Sequence, residues 1–344
     1  MSTQNFVTKL GFNRKGYDLI ETSSNRSLLL KGSSLNLDDK VNIIKKKISH
    51  LDEIQINEER YSIKKIDDLI GKISSNKYHT IIVYGGGSVI DVAKRFYLSL
   101  KKNNLDLKFV VIPTLIGSGA ESSMTSVINS DSKKIVLSDQ DQMPDTVIYD
   151  TDIIKYIDPK EIIFGSIDAL THCLESTTSF LTNPYLKFFS NQTIEYFFKE
   201  IELKDLLNKD LINDEDIKKF CILSFNGGLA QNNSGAGLCH AISHAAEEIT
   251  SVRHSRCITY FLIGTIKFIQ ENNKNFFNDL KPENINNLML LSNTFREDIE
   301  NISSLDDLIS DDSGKDKLIS IAKKDPCWRL FNLKGKKDNI LNDI

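Results

Sequence analysis

The sequence predicts an α/β N-terminal domain with a Rossmann-like parallel sheet, followed by an all-α C-terminal domain. Three observations carry this expectation. Short apolar runs alternate with helical stretches through the first 156 residues, which implies a mostly parallel sheet with helices on its faces. The clearest run, Thr80–Tyr84, passes straight into Gly85-Gly86-Gly87-Ser88 and then a helix. After about residue 156 the β-branched runs stop and long helical stretches take over. The expected boundaries are therefore 1–156 and 157–344.

Taken in order, residues 1–26 are mixed, with a short strand expected at Phe6–Leu10. Ser27–Lys31 is an apolar run that ends at Gly32-Ser33-Ser34, as a buried strand entering a polar turn does. Val41, Ile44 and Ile48 recur at helical spacing and predict a helix over 38–50, with a strand at Ile54–Ile56. Residues 61–76 predict a helix with Ile63, Ile66, Leu69, Ile70 and Ile73 on one side. Thr80–Tyr84 leads into the helix Val89–Leu100, and Phe109–Ile112 is a strand closed by Pro113-Thr114 and a Gly/Ser loop. Ser123–Ile128 and Lys134–Leu137 read as a strand pair around the polar turn Asn129–Ser132, and Thr146–Tyr149 as the last strand. Beyond Pro159 the expected helices cover 160–180, 184–201, 215–232, 235–250, 255–271, 286–297 and 315–324. No internal repeat or low-complexity linker is present.

Composition excludes several function classes. With 344 residues, 40% hydrophobic and 26% charged, the chain is long and apolar enough for two domains around a sizeable core. A formal net charge of -4 argues against a general nucleic-acid binder, and Lys45-Lys46-Lys47 reads as a solvated helix face. No apolar run approaches the roughly 18 residues that span a bilayer. The N-terminal stretch lacks a basic segment followed by an apolar core, so no secretion signal and no membrane partner are expected. The five cysteines are scattered and have no CxxC spacing, which predicts free thiols and a cytoplasmic location.

The junction at Gly85-Gly86-Gly87-Ser88 has the design of a phosphate site. Glycines let the backbone approach an anion, and the helix that follows offers unpaired N–H groups and the positive end of its dipole. It is neither GxGxxG nor GxxxxGK[ST]. A second loop, Pro113 to Glu121, follows the next strand, and carboxyl ends of parallel strands are where ligands bind in open α/β sheets. Downstream, Asp168 and His172 form an i, i+4 pair on one helix face, and His240 and His244 form another, with His254 ten residues on. A single Asp/His pair is commonly a surface pair. Two pairs and a further histidine in apolar helical surroundings point instead to one divalent metal, Fe(II) or Zn(II). Cys173 and Cys239 adjoin two of these histidines, yet consecutive helix residues point about 100° apart, so both are expected as packed core thiols.

These segments together resemble one family. Gly85-Gly-Gly-Ser-Val-Ile-Asp-Val-Ala-Lys94 resembles the GGGSxxDxAK signature of the iron-containing (group III) alcohol dehydrogenases. Pro113 to Glu121 is similar to their PTxxGTGSE loop, and Asp168 to Glu175 to their DxxxHxxE segment. The spacing His240-x3-His244-x9-His254 is also theirs, and the likeness runs in order from about residue 27 to 260. It implies a dehydroquinate synthase-like fold, an active site in the cleft between a nucleotide-binding and a metal-binding domain, and a homodimer. It implies metal ligation by Asp168, His172, His240 and His254. His244, which spacing alone pairs with His240, is placed by the resemblance near substrate and nicotinamide as a proton relay. Gly86, Gly87 and Ser88 are implied at the cofactor pyrophosphate, with Thr114, Gly117, Ser118, Ser123 and Lys134 along the rest of the groove.

The implied activity is metal-dependent, NAD(P)-linked hydride transfer between a small alcohol and its aldehyde. A cyclase or lyase of the dehydroquinate synthase type is the alternative, and a non-catalytic binding protein on the same scaffold is a third reading. Net NADPH oxidation by an aldehyde separates the first two. Three departures from the family pattern add expectations. The first strand's end, Leu30-Lys31-Gly32-Ser33, lacks the aspartate of NAD-preferring members, so Gly32 leaves room for a 2′-phosphate, with Lys31 or another base nearby, and the cofactor expected is NADP(H). Arg253-His254-Ser255-Arg256 replaces the usual Pro-His-Gly, so the two arginines, Arg253 foremost, could grip an anionic aldehyde bearing a phosphonate or carboxylate, or they could point to solvent or pair with Glu247 and Glu248. Thr125 is the other expected substrate contact. The helical part also ends early against the family, which implies shortened helices and a more open pocket.

Overall fold

The computed structural model describes residues 8–33, 38–57, 62–73, 76–102, 104–130, 133–201, 213–273, 275–331 and 340–341. The chain divides into two units, 1–157 and 158–344. The first carries a six-stranded parallel sheet in the order β1-β8-β5-β4-β2-β3. Its strands are β1 (Lys9–Phe12), β2 (Ser23–Gly32), β3 (Ile48–Ile56), β4 (Thr80–Gly85), β5 (Lys108–Pro113) and β8 (Thr146–Tyr149). An antiparallel pair, β6 (Thr125–Ser130) and β7 (Lys133–Ser138), stands apart from it. Helices α1 (Asn13–Gly16), α2 (Asp38–Lys47), α3 (Ile63–Ile73), α4 (Gly87–Lys101) and α5 (Thr151–Ile154) complete the unit.

Burial explains which strands were legible. Every residue of β4 is buried, as is the run Phe109–Pro113 of β5, and these are near-continuous apolar runs covered on both faces. The strand β3 lies at the sheet's edge beside β2 alone, and it begins at Ile48, where the helix 38–50 was expected to continue. An edge strand needs only one partner and tolerates polar residues such as His50, Asp52 and Glu53, so Ile48 looked like one more turn of helix. Parts of the expected strand Phe6–Leu10, of the turn after Gly32 at Ser34, of the helix 61–76 and of the turn Asn129–Ser132 lie outside the described residues.

Helix α4 begins directly after β4. Its N-cap, Gly86, has extended backbone (φ -76°, ψ -176°) and makes no side-chain cap, and its first turn holds no acidic residue. Two side chains fasten this helix to β6. Lys94, fully buried, donates from Nζ to Thr125 O at 2.6 Å, and Asp91 Oδ2 accepts from Val127 N at 3.1 Å.

The described residues of the second unit form helices and their connecting loops, with one isolated bridge between Ser179 and Phe331. Its helices are α6 (Pro159–Thr178), α7 (Pro184–Glu200), α8 (Asp214–Ser234), α9 (Leu238–Thr250), α10 (His254–Asn272), α11 (Pro282–Arg296), α12 (Ile302–Ser310), α13 (Asp312–Ala322) and α14 (Pro326–Leu330). Helix α6 is the central one, and every residue from Ile162 to Thr178 is buried. It starts where sequence chemistry says it should, with Asp158 accepting from Lys160 N at 2.9 Å and Pro159 in the first turn. Asn213 caps α8 through Glu215 N and Asp216 N. At Gly227 the backbone of α8 comes so close to α6 that a Cβ would lie 2.9 Å from the Cα and O of Ala169. That contact packs α8 against the turn carrying Asp168.

Candidate functional site

Helix α6 presents Asp168, His172 and Glu175 at i, i+4 and i+7, hence on one face, and all three are buried. Helix α9 brings His240, and the first residue of α10 is His254. The carboxylate of Asp168 is the hub. Its Oδ1 lies 3.1 Å from His240 Nε2, 3.8 Å from His172 Nε2 and 3.9 Å from His254 Nε2. The rings of His172 and His240 stack with centroids 4.2 Å apart.

The electrostatics follow from this crowding. Burial on its own raises the Asp168 carboxyl, but the imidazoles of His172, His240 and His254 outweigh it and hold the group well below the usual carboxylate range. Burial and the neighbouring His240 push His172 down to about 4, so that ring is neutral and has a lone pair to offer. Burial disfavours the His240 imidazolium too, yet Glu175 and Asp168 on its two sides raise it to about 10. One buried carboxylate and three converging Nε2 atoms are a donor set that fits a divalent Fe or Zn ion. Cys173 and Cys239 are fully buried, and burial pushes the Cys173 thiol up to about 12. Both are core thiols.

Glu175 stood in the sequence only as the last residue of the DxxxHxxE segment, with no role attached to it. Its Oε2 lies 2.6 Å from His240 Nδ1 and accepts from Gly237 N at 2.6 Å. Its Oε1 accepts from Cys239 N at 2.6 Å and His240 N at 3.3 Å. The carboxylate thus caps α9 from another helix, satisfying N–H groups that Gly237 has no side chain to reach, and orients the His240 ring so that Nε2 faces Asp168. A Cβ on residue 237 would lie 2.9 Å from Glu175 Cδ, so only glycine admits the carboxylate. The i+7 step from Asp168 was the available signal.

His244 is placed differently. Its Nδ1 lies 2.8 Å from Asp325 Oδ2, and with Asp325 and Cys327 it forms a second, half-buried group of polar side chains. Its ring stacks on His254 with centroids 4.9 Å apart. Neither arginine meets Glu247 or Glu248. Arg256 is buried and forms a two-armed pair with Glu161 while stacking 4.2 Å from the Phe164 ring. Arg253, 69% exposed, reaches the same Glu161 at 3.2 Å. Glu161 lies seven residues before Asp168, about 10 Å along the helix axis at 1.5 Å per residue.

In the first unit, Gly32, Gly86, Gly87 and Ser118 cluster around the start of α4. A Cβ on Gly32 would lie 3.3 Å from Val89 Cγ2, and one on Gly87 would lie 3.8 Å from Ser118 Oγ. Ser88 is exposed in the first turn of the helix. Thr114 N donates to Gly85 O at 3.0 Å, tying the second loop to the first, and Gly117 and Gly119 both have positive φ. Ser123 Oγ accepts from Thr125 N at 3.0 Å, and the Thr125 hydroxyl lies 3.5 Å from Ser138 Oγ. Lys134 pairs through its backbone with Asn129, and its side chain lies outside the described set. Lys31, expected beside a 2′-phosphate, instead pairs with Glu53 at 2.8 Å, and Lys45 pairs with the same carboxylate at 2.6 Å.

Comparison with known proteins places this geometry. The iron-containing alcohol dehydrogenase family model matches residues 17–151, and the model of that family's C-terminal part matches 162–318. A 4-hydroxybutyrate dehydrogenase of Clostridium kluyveri is 30% identical over 232 residues, covering 62% of this chain and 61% of that protein. An NADPH-dependent butanol dehydrogenase of Clostridium saccharobutylicum is 28% identical over 207 residues, covering 55% and 52%. The matched part therefore spans a half to three-fifths of these relatives. Among solved structures, an iron-containing alcohol dehydrogenase from Thermococcus thioreducens superposes with a TM-score of 0.82 at 18% identity, covering 98% of this chain and 97% of that one. No helix among the described residues is long and apolar enough to cross a membrane. The two family models account for both units between them, and the chain belongs to the iron-containing alcohol dehydrogenase family.

Proposed function

We propose that this protein is a metal-dependent, NAD(P)-linked alcohol dehydrogenase or aldehyde reductase acting on a small alcohol/aldehyde pair. The observation that carries the reading is the convergence of His172, His240 and His254 on the buried carboxylate of Asp168. Those four residues would hold the ion. When bound, a divalent ion supplies Lewis acidity toward an alcohol or carbonyl oxygen, and nicotinamide supplies the hydride chemistry. The chain's own contribution is to orient and to move a proton. Glu175 fixes the His240 ring, the uncapped start of α4 offers N–H groups for the cofactor phosphates, and His244 accepts the alcohol proton or returns it.

Two finer assignments belong to the same reading. NADP(H) is the preferred cofactor, since β2 ends on Gly32 without a carboxylate and the Lys31–Glu53–Lys45 cluster beside it keeps one net positive charge. The substrate carries an acid group, as the name of the 4-hydroxybutyrate dehydrogenase relative indicates for that protein. Arg253 is the residue to bind that group, because its exposed pair with Glu161 is weak and readily exchanged.

The test is oxidation of NADPH and of NADH over neutral and acid-bearing aldehydes, with Fe(II) or Zn(II) added. Turnover only with metal, and faster with NADPH, is expected. No aldehyde-dependent oxidation with either ion would refute the activity, and equal efficiency with NADH would refute the NADP assignment. If Arg253→Ala left turnover of acid-bearing aldehydes unchanged, its role would fall.

A further inference from the structure

Helix α9 carries two histidines one turn apart, and each has its Nδ1 against a carboxylate from a different helix or turn. Glu175 holds His240, and Asp325 holds His244 at 2.8 Å. We propose that Asp325 is the positioning residue for His244, fixing the imidazole in the tautomer with its proton on Nδ1 so that Nε2 is the nitrogen that exchanges a proton with substrate. The inference rests on the dehydrogenase reading above. In that reaction a bound oxidised nicotinamide would take the hydride from the alcohol carbon, and His244 Nε2 would take the proton from its oxygen.

Three features make Asp325 suited to this. Its own orientation is fixed, because Oδ1 accepts from Cys327 N at 2.7 Å as the N-cap of α14. With Oδ1 engaged, Oδ2 is the oxygen left for the ring, and the carboxylate cannot turn away without giving up the cap. The Cys327 thiol beside it is not a competing anion, since burial pushes it well above its ordinary range. The ring is also confined from the other side by His254, stacked 25° from parallel. Ring plane and tautomer are therefore set together, 81 residues away in sequence from the group that sets them.

Two substitutions separate this role from the cap. Asp325→Asn keeps an N-cap oxygen but turns an NH₂ toward the ring, which favours the tautomer with the proton on Nε2. Asp325→Ser keeps a capping oxygen on a side chain too short to reach His244. The first readout needs no turnover: ¹⁵N spectra of histidine-labelled, Zn(II)-loaded protein report which nitrogen of His244 carries the proton. Nδ1–H in the parent and Nε2–H in Asp325→Asn are expected. The second is kinetic. In both variants kcat for alcohol oxidation should fall by about tenfold or more, with KM within about twofold. An Nε2–H tautomer in the parent, or kcat in both variants within about twofold of the parent, would overturn the proposal. If the parent protein turned over no alcohol at all, the dehydrogenase reading would fail, and the spectra would still decide whether Asp325 sets the tautomer.

Discussion

Glu175, itself buried, receives three backbone N–H groups and one imidazole nitrogen. Glu175→Gln would turn an amide NH₂ toward groups that are themselves donors. A buried donor left facing a donor costs about 1–3 kcal/mol, and loss of a carboxylate behind a ligating histidine lowers metal affinity about 10–100-fold. Thermal unfolding and metal titration of the variant check the two effects, and an unchanged metal affinity would remove Glu175 from the metal centre. Gly32 offers a second test at this scale. An aspartate there would accept from a 2′-hydroxyl and repel a 2′-phosphate. Gly32→Asp should lower the NADPH-to-NADH ratio of kcat/KM by about tenfold, or about 1.4 kcal/mol. Gly32→Ala is the control for the 3.3 Å approach of Val89.

Among the elements, α4 couples the glycine loop to the strand pair β6–β7 through Lys94 and Asp91. Burial pushes the Lys94 ammonium down to about 8, against the pull of Asp91 and Glu121. Between about pH 8 and the ordinary lysine value near 10.4, the unfolded chain binds a proton that the folded chain does not. Stability contributed by this group therefore rises with pH across that window. Denaturant unfolding at both ends of the window should show the slope, and Lys94→Met should remove it. Helices show what periodicity could and could not find. The long ones in 159–272 were evident as long helical stretches with few β-branched runs, whereas α12 was missed. It is nine residues long, begins at Asn301 with a left-handed backbone and no side-chain cap, and buries only Leu305 and Leu308. Helix α14 is shorter still, five residues, and although Asp325-Pro326 is the same local start signal as Asp158-Pro159, too few apolar positions follow it for periodicity to show a helix.

For the whole molecule, the four proposed metal ligands all belong to the unit 158–344, and the glycine loops to the unit 1–157. Removal of metal should therefore loosen the unit 158–344 selectively, because an ion that binds only the folded state stabilises what it binds. Hydrogen exchange after chelation should rise in 168–175, 237–244 and 254–258 while 80–101 stays protected. Added NADPH should do the reverse, slowing exchange near 85–89 and 117–120. Uniform loosening of both units would argue against this partition.

Much of this protein was settled by its sequence alone. Local chemistry was enough wherever the partners lie within a few residues, as in the strand–glycine–helix junction at 80–101 and the i, i+4 spacing of Asp168 and His172. Ligand residue types could be identified the same way, since spacing on a helix fixes which side chains share a face. What each side chain then touches was decided by tertiary structure. Glu175 against His240 and Asp325 against His244 join residues 65 and 81 positions apart, and both arginines beside His254 turn to Glu161, 92 and 95 positions away. A hydrogen bond depends on distances of about 3 Å in space, and periodicity along the chain carries no information about which distant carboxylate will arrive there.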